Sequence, residues 1–513
     1  MAIINGRGRV GIRRPSAVAT PSIVLDGLKL YLDAGKTTSY SGTGTVWTDL
    51  STSGSNATLV NGPTYSSANS GVINFDGSND FVTVAGLLPY SSAQEHTYSA
   101  LVYPTAFATN YTWIINNGNT TNGTSLIFQS NRVGFFYQGG AAYASGTGAI
   151  SLNAWTHVTA AYNGAGTVRF YINGALDRTV TGLPAWTGTS SNTSFQGNGR
   201  IGSWVSGQYN GAYLFSGKIS NAQVYGRALT AAEVAQNFDA LKPRFYPQVS
   251  DANAQAFIYA ANIVSSAQAN AVNTLVTSLK AAGVWAKMKA VYPFVGGSAA
   301  SHKWNLKDPR DLDAAYRLTF TVGWVHSSTG AKPNGTSDYA NTFLNAASKL
   351  SAGNANMTYY SRTSAMIGNK TISAMGCATW TGNEFTSDYL VLQIDNYYYS
   401  IAYMTNSAFA YRSQLYPSNN ASGLWSANRT SGAASALRLW RNGVAVGTTP
   451  TLSICNFPNL NVYLGSQNAQ GTAATFDNKE CAFASLGDGL TDAESASLYT
   501  AVQAFQTSLG RQV

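Results

Sequence analysis

The sequence predicts an all-β chain of two sandwich bodies in tandem, joined by a short helical connector and closed by a C-terminal helix. Three observations carry the prediction. The composition suits strands and tight turns. Short alternating runs are broken by turn residues. Four motifs recur, in order, in the second half. Of the 513 residues, 44% are hydrophobic and only 10% are charged, while Gly reaches 50, Tyr 30 and Trp 11. An average soluble protein is roughly 25% charged. The apolar fraction is enough for packed cores, which excludes a disordered chain, and the length suits two or three domains.

Residues 1–22 hold Arg7, Arg9, Arg13 and Arg14, then Pro15 and Pro21. They read as an extended basic arm without a core of its own. Residues 23–242 read as the first sandwich. Tyr98–Tyr103, Tyr111–Ile115, Val133–Tyr137, Trp155–Tyr162 and Val168–Ile172 are strand-like runs between Gly, Asn, Ser and Thr turns. The run ending at Ile172 meets Asn173-Gly174, the strongest short hairpin signal, because both central residues need positive φ. Thr230 and Glu233 form a capping box ahead of a helix.

Residues 243–296 read as a helical connector that belongs with the second domain. Val272, Leu275, Val276 and Leu279 share one helical face, with Ser265 or Ser266 as N-cap and Gly283 as stop. A shorter helix is expected over Asp251–Ala261. Residues 297–513 return to strands: Tyr389–Ile394, Tyr397–Tyr403, Leu437–Trp440 and Val462–Leu464. Thr491 and Glu494 then cap a final helix whose stripe is Leu498, Val502, Phe505 and Leu509.

The halves echo each other. Gly77–Phe81 matches Gly335–Tyr339, and Arg169–Gly174 matches Arg438–Gly443. Arg200–Ser203 matches Tyr463–Ser466, and Leu229–Glu233 matches Leu490–Glu494. Each pair is about 260 residues apart, and the common order implies a duplicated fold with loops of different length. Trp425-Ser-Ala-Asn428 is aligned with Trp155-Thr-His-Val158, so His157 has no counterpart.

Several segments of the first half, in order, resemble the laminin-G-like, concanavalin A-like jelly roll of phage and bacterial surface proteins. They are Gly27–Asp33, Trp47–Ser51, Thr58–Pro63, Phe75–Phe81, Trp155–Val158, Tyr171–Gly174, Gly217–Ile219 and Val224–Leu229. The second half resembles a domain of tailed-phage structural proteins through Ser301–Arg310, Asn478–Phe483, Gly487–Thr491 and Phe505–Arg511. The resemblance implies a virion surface protein: a capsid decoration, head fibre or tail-associated adhesin. Its arm, with Arg7, Arg9, Arg13 and Arg14, would anchor to other virion proteins. The protein would be multicopy or homo-oligomeric and would bind glycans weakly.

The same jelly roll hosts both glycan-binding modules and glycosidases, so fold alone does not choose. Glycoside hydrolysis normally needs two facing carboxylates. The only glutamates are Glu95, Glu233, Glu384, Glu480 and Glu494; two of these are capping residues, and no strand carries alternating acids. The expectation is therefore no catalytic residues and no enzyme. A phage polysaccharide depolymerase and a bacterial surface adhesin are the alternatives. His96, His157, His302 and His326 lie at no metal spacing, and His157 reads as a half-buried, hydrogen-bonded residue.

No cofactor is required by this reading, but laminin-G-like domains often hold calcium on rim loops. That makes Asp49 and Asp80 the metal candidates, against the simpler reading as turn residues. Trp186, Trp204, Tyr209 and Tyr213 are the carbohydrate-binding candidates, with Tyr397–Tyr399 a second set.

The net charge of +9 comes from scarce acids, and no aromatics interleave the arginines, so nucleic acid is not an expected partner. Cys377, Cys455 and Cys481 form neither a disulfide framework nor a zinc pattern, which fits synthesis in a reducing cytoplasm. The sequence has no membrane-length apolar run and no signal-like start. The expected location is the virion surface after synthesis in a host cytoplasm.

Overall fold

The computed structural model describes residues 22–87, 93–108, 110–118, 123–137, 142–183, 199–204, 213–366, 370–379, 388–396, 399–405, 412–416, 419–433, 436–448 and 456–513. The chain divides into two compact units, Met1–Phe245 and Tyr246–Val513.

The first unit begins with β1 (Leu28–Asp33), β2 (Val46–Trp47), β3 (Ala57–Val60), β4 (Thr64–Ser66), β5 (Val72–Asp76) and β6 (Phe81–Val84). The long strands follow: β7 (Glu95–Ala106), β8 (Tyr111–Gly118), β9 (Gly123–Gln129), β10 (Arg132–Tyr137) and β11 (Ala142–Ala149). It ends with β12 (Thr156–Asn163), β13 (Val168–Ile172), β14 (Ala175–Val180), β15 (Gly199–Ile201), β16 (Ser216–Tyr225) and helix α1 (Ala231–Leu241). One sheet runs β14-β13-β12-β7-β16-β5-β4, with β1 also on β16; the other runs β11-β10-β9-β8-β15-β6-β3-β2. Alternation places Leu126, Phe128, Phe135 and Tyr137 of one sheet against Tyr98, Ala100, Val158 and Phe170 of the other in one buried core.

The second unit opens with α2 (Ala252–Ala260), α3 (Ser266–Ala281), α4 (Val284–Lys287), β17 (Met288–Tyr292) and α5 (Ala299–His302). Then come β18 (Thr319–Phe320), β19 (Val325–Ser327), β20 (Gly330–Lys332), β21 (Ala340–Asn345), α6 (Ala346–Lys349), β22 (Ala355–Ser361) and β23 (Thr371–Thr379). They are followed by β24 (Asp388–Asn396), β25 (Tyr399–Thr405), β26 (Arg412–Leu415), β27 (Gly423–Arg429), β28 (Leu437–Arg441) and β29 (Val444–Ala445). The last elements are β30 (Asn461–Leu464), β31 (Gln467–Ala469), β32 (Thr472–Ala474), β33 (Cys481–Gly487) and α7 (Asp492–Ser508).

Its sheets run β29-β28-β27-β22-β33-β20-β19, with β17 on β33, and β26-β25-β24-β23-β30-β21-β18, with the β31–β32 hairpin on β23. The first of these sheets repeats the order of the first unit strand for strand, and the second repeats it except at its β18 end and in the added hairpin. Both units are jelly-roll sandwiches, and the duplication reaches single hydrogen bonds. The Asp76 carboxylate accepts from the amides of Ser78, Asn79 and Asp80, while Asp80 accepts from the Asp76 amide. Asn334 accepts from Thr336, Ser337 and Asp338, while Asp338 accepts from the Asn334 amide. Asn173 and Asn442 share a φ of 49°, followed by Gly174 at 78° and Gly443 at 76°, as a primed hairpin turn requires.

The hairpin also corrects one alignment. The Asn173 side chain accepts from the His157 amide, and the Asn442 side chain accepts from the Leu424 amide. Leu424 therefore stands where His157 stands, and Trp425 pairs across its hairpin as Val158 does. Trp155 and Trp425 are not equivalent; the shared letter conceals a three-residue difference in register. The absence of a second histidine at this place holds.

The expected helices are present. Thr230 and Thr491 both make complete capping boxes, and the Ser265 side chain accepts from the Gln268 amide. Asp251 caps α2. The span 243–296 is not purely a connector. Lys242–Arg244 is a turn of the first unit, where Arg244 pairs with Asp33 at 2.6 Å. Met288–Tyr292 is a strand of the second sandwich, paired with β33. Cys377 and Cys481 are buried and free, whereas Cys455 lies outside the described residues. Among the described residues no helix is long and apolar enough to cross a membrane.

Candidate functional site

In the first unit a helix roofs one sheet, and among the described residues no helix covers the outer face of the other. Helix α1 lies over the outer face of the sheet holding β12 and β13. Gly174 permits this, because a Cβ there would sit 3.1 Å from Cβ of Phe238. His157 lies beneath, its ring 5.7 Å from Phe238, with Nε2 2.8 Å from Ser99 Oγ. Burial pushes His157 down to about 4. His96 is enclosed by Tyr98, Phe135 and Tyr162 and is likewise lowered to about 4 by burial. Neither ring reaches solvent, so neither is placed to exchange protons with a bound substrate. His157 is more completely buried than the half-buried residue expected.

The outer face of the other sheet carries aromatic residues. Ile127 and Phe136 alternate out of phase with the core residues on β9 and β10, so they point away from it. A register shift between Trp113 and Ile115 sends Ile114 and Ile115 inward and leaves Trp113 outside. Tyr111, Trp204 and Tyr213 pack against this set. Trp113 meets Trp204 at 4.7 Å and 72°, Tyr213 at 5.3 Å and 70°, and Phe136 at 5.4 Å and 67°. These are edge-to-face contacts, the favoured geometry for ring quadrupoles. The Trp113 amide donates to the Tyr213 carbonyl at 3.2 Å, and Tyr213 sits at a φ of 75°, unusual for a residue with a side chain. Arg200 donates to the Trp204 carbonyl at 3.0 Å, while its guanidinium lies 4.3 Å from the Phe81 ring centroid. Tyr111, Trp204 and Tyr213 remain half-buried, giving the face a partly open aromatic surface.

Two of the four carbohydrate candidates, Trp204 and Tyr213, thus fall in one cluster. Trp186 and Tyr209 lie outside the described residues, as do Arg7, Arg9, Arg13 and Arg14. Tyr111, Trp113 and Phe136 were not anticipated. The runs Tyr111–Ile115 and Val133–Tyr137 were their signal, since each places apolar side chains at adjacent positions and so on both faces of its strand.

The two calcium candidates make local hydrogen bonds. Asp49 Oδ1 accepts from the amides of Tyr31 and Ser51, and Oδ2 accepts from the Ser51 hydroxyl and the Ser55 amide. Asp80 closes the Asp76 turn, and burial raises its pKa. Among the described residues no three His, Cys, Asp or Glu side chains come together as metal ligands. The four acceptor positions of Asp49 are taken by turn donors, the geometry of the turn reading.

Glu233 serves its cap and Arg227, which holds it down to about 2. Glu480 pairs with Arg362 at 2.9 Å, and Glu494 serves its cap and Lys287. Glu384 lies outside the described residues.

The second unit presents the same face with different chemistry. The Ser373 amide donates to the Thr475 carbonyl as Trp113 donates to Tyr213, so Ser373 and Thr475 replace that aromatic pair. Gln393 pairs with Ser373 as Ile127 pairs with Trp113. Tyr403, opposite Val391, stands where Phe136 stands opposite Ser125.

Residues 76–235 match the concanavalin A-like lectin/glucanases superfamily. The first unit carries a concanavalin A-like domain. Solved structures similar to the chain include domain 4 of an extracellular GH43 arabinanase from Geobacillus stearothermophilus in complex with arabinotriose. It is 19% identical at a TM-score of 0.32, over 41% of this chain and 97% of that one. The binding domain of Paraclostridial Mosquitocidal Protein 1 is 17% identical at 0.32, over 41% of this chain and 52% of that one. Trypanosoma rangeli sialidase in complex with sialic acid is 17% identical at 0.32, over 42% of this chain and 33% of that one. The chain thus spans about half of the mosquitocidal domain and a third of the sialidase. No curated protein sequence matches the chain.

Proposed function

We propose that the chain is a non-catalytic, glycan-binding protein on the surface of a tailed-phage particle, attached through its arginine-bearing arm. The observation that carries the binding role is the aromatic set Tyr111, Trp113, Phe136, Trp204 and Tyr213 on the sheet face that α1 leaves unroofed. Tyr111, Trp204 and Tyr213 are the partly exposed rings of the set, held from beneath by the buried Trp113 and Phe136; they offer apolar area to the C–H faces of a sugar at small entropic cost, since the cluster already fixes their rotamers. A shallow face of this kind binds weakly, and many copies on one particle would convert weak contacts into avidity. The capping, paired or turn-bound state of Glu233, Glu480, Glu494, Asp49 and Asp80 supports a binding role over hydrolysis.

The test is to incubate the full chain with intact surface polysaccharide of the host bacterium, measuring retention and release of reducing ends together. Retention that Trp204→Ala weakens, without released ends, is expected. Sustained release of reducing ends refutes the non-catalytic reading. Particles that still incorporate a chain lacking residues 1–22 refute the anchoring arm.

A further inference from the structure

The unroofed face of the second unit is also built for a ligand, and its floor is made of tyrosines. Tyr399, Ile401 and Tyr403 on β25 alternate with Ala402 and Met404, which enter the core, so the first three share the outer face. Tyr389 and Val391 on β24 join them. The Tyr389 and Tyr403 rings are 5.6 Å apart, and Tyr399 stacks on Tyr416 at 4.3 Å and 23°. Tyr416 is 61% exposed, so its ring is open to contact. Four residues along β25 separate the two pairs by roughly 13 Å, at about 3.3 Å per residue.

An added hairpin flanks β23, the strand that pairs Ala378 with Tyr389. The β31–β32 hairpin, without counterpart among the described strands of the first unit, runs parallel to β23 through Gly376–Gln467, Cys377–Asn468 and Ala378–Ala469. Its turn holds Gln470 at a φ of 55°, fixed by an amide hydrogen bond to the Ala378 carbonyl at 3.0 Å. Where the hairpin meets this floor is a cleft of about 270 Å³ lined by Ala378, Tyr389, Gln467, Ala469 and Gln470. That volume is near the lower end of small-molecule sites, roughly 300 Å³. The described lining has no charged group. It pairs one aromatic ring with two glutamine amides, of which Gln467 also accepts from the Ser373 hydroxyl at 3.4 Å, and such polar, uncharged partners suit hydroxyls on a flat apolar ring better than an ion.

We infer that this cleft is a second saccharide site, specific for a neutral oligosaccharide that enters beside Tyr389 and extends across the tyrosine floor towards Tyr399 and Tyr416. The ligand class rests on the glycan-binding reading above; the site and its preference are distinct from those of the first unit. Because tryptophans crowd one face and tyrosines with glutamines line the other, the two units select different sugars, and one particle can hold two kinds of glycan at once.

The test titrates the full chain with maltohexaose, cellohexaose, chitohexaose and sialyllactose, using ligand-observed saturation-transfer NMR. Tyr389→Ala, Tyr389→Phe, Gln470→Ala and Trp204→Ala are compared with the parent, each first matched to it by circular dichroism. At least one neutral hexasaccharide is expected to bind, to weaken about ten-fold in Tyr389→Ala and several-fold in Gln470→Ala, and to return in Tyr389→Phe, which keeps the ring. The inference is overturned if that ligand responds only to Trp204→Ala, if sialyllactose alone binds, or if no probe binds the parent. A ligand lost in Tyr389→Ala but indifferent to Trp204→Ala is the result expected of a cleft distinct from the first-unit face; that face fails separately if no probe responds to Trp204→Ala.

Discussion

Replacing His157 with leucine, the residue its counterpart Leu424 already supplies, should detach part of the protein's stability from pH. His157 is fully buried between Ser99 and Phe238, and burial lowers it from 6.5 to about 4. In the unfolded chain it titrates near 6.5. Between these values the unfolded state holds a proton that the folded state refuses, so stability falls as pH falls through the window. A shift of about 2.5 units at about 1.4 kcal/mol per unit makes the full loss roughly 3 kcal/mol, of which about 2 kcal/mol is incurred between pH 7 and pH 4.5. At pH 7 the substitution removes the bond to Ser99, whose hydroxyl keeps Thr159 Oγ1 at 2.8 Å, so the cost is about 1 kcal/mol or less. Urea unfolding of parent and His157→Leu at both pH values reads the difference directly, because the remaining histidines contribute equally to each. The variant should be equal or slightly weaker at pH 7 and about 1–2 kcal/mol more stable at pH 4.5. Parallel pH profiles for the two proteins would refute the assignment of His157 as a buried neutral ring.

Three further outcomes follow from the packing. Arg244→Ala strands the Asp33 carboxylate, whose side chain is 2% exposed, and should destabilise the first unit by about 3 kcal/mol, read by denaturant titration. Gly174→Ala meets both a φ of 78° and Phe238, so a loss of about 1–2 kcal/mol and loosened protection of the α1 amides in hydrogen exchange are expected. Thr491→Ala removes the α7 cap and should cost about 1 kcal/mol, whereas Thr491→Ser should cost little.

Local chemistry was the legible part of the sequence. Asn173-Gly174, the Thr230 and Thr491 boxes and the Asp76–Asp80 turn each satisfy their own backbone within a few residues, so their letters suffice to find them. Because the same local solutions recur in order, the duplication was readable too. Long-range register was not. Trp425 drew the eye to Trp155, yet register is settled by Asn173 and Asn442 many residues away. The aromatic face was half visible: Trp204 and Tyr213 stood out among Gly and Asn, but the shift at Trp113 breaks the period of two, and counting along β8 cannot say which aromatic turns outward. Met288–Tyr292 follows three helices with no sequence break, and only its pairing with β33 makes it a strand. Asp49 satisfies rules for both a rim-loop ligand and a turn, and its letters alone do not reveal the four turn donors that the fold brings to it.

The most direct measurement is a crystal structure of the full chain with the tightest-binding oligosaccharide from the host polysaccharide. The account predicts an intact glycan lying against the half-buried rings of Trp204 and Tyr213 on the unroofed sheet face, its linkages remote from paired acids. A cleaved sugar held between two facing carboxylates, or a glycan bound beneath α1 instead, would contradict it.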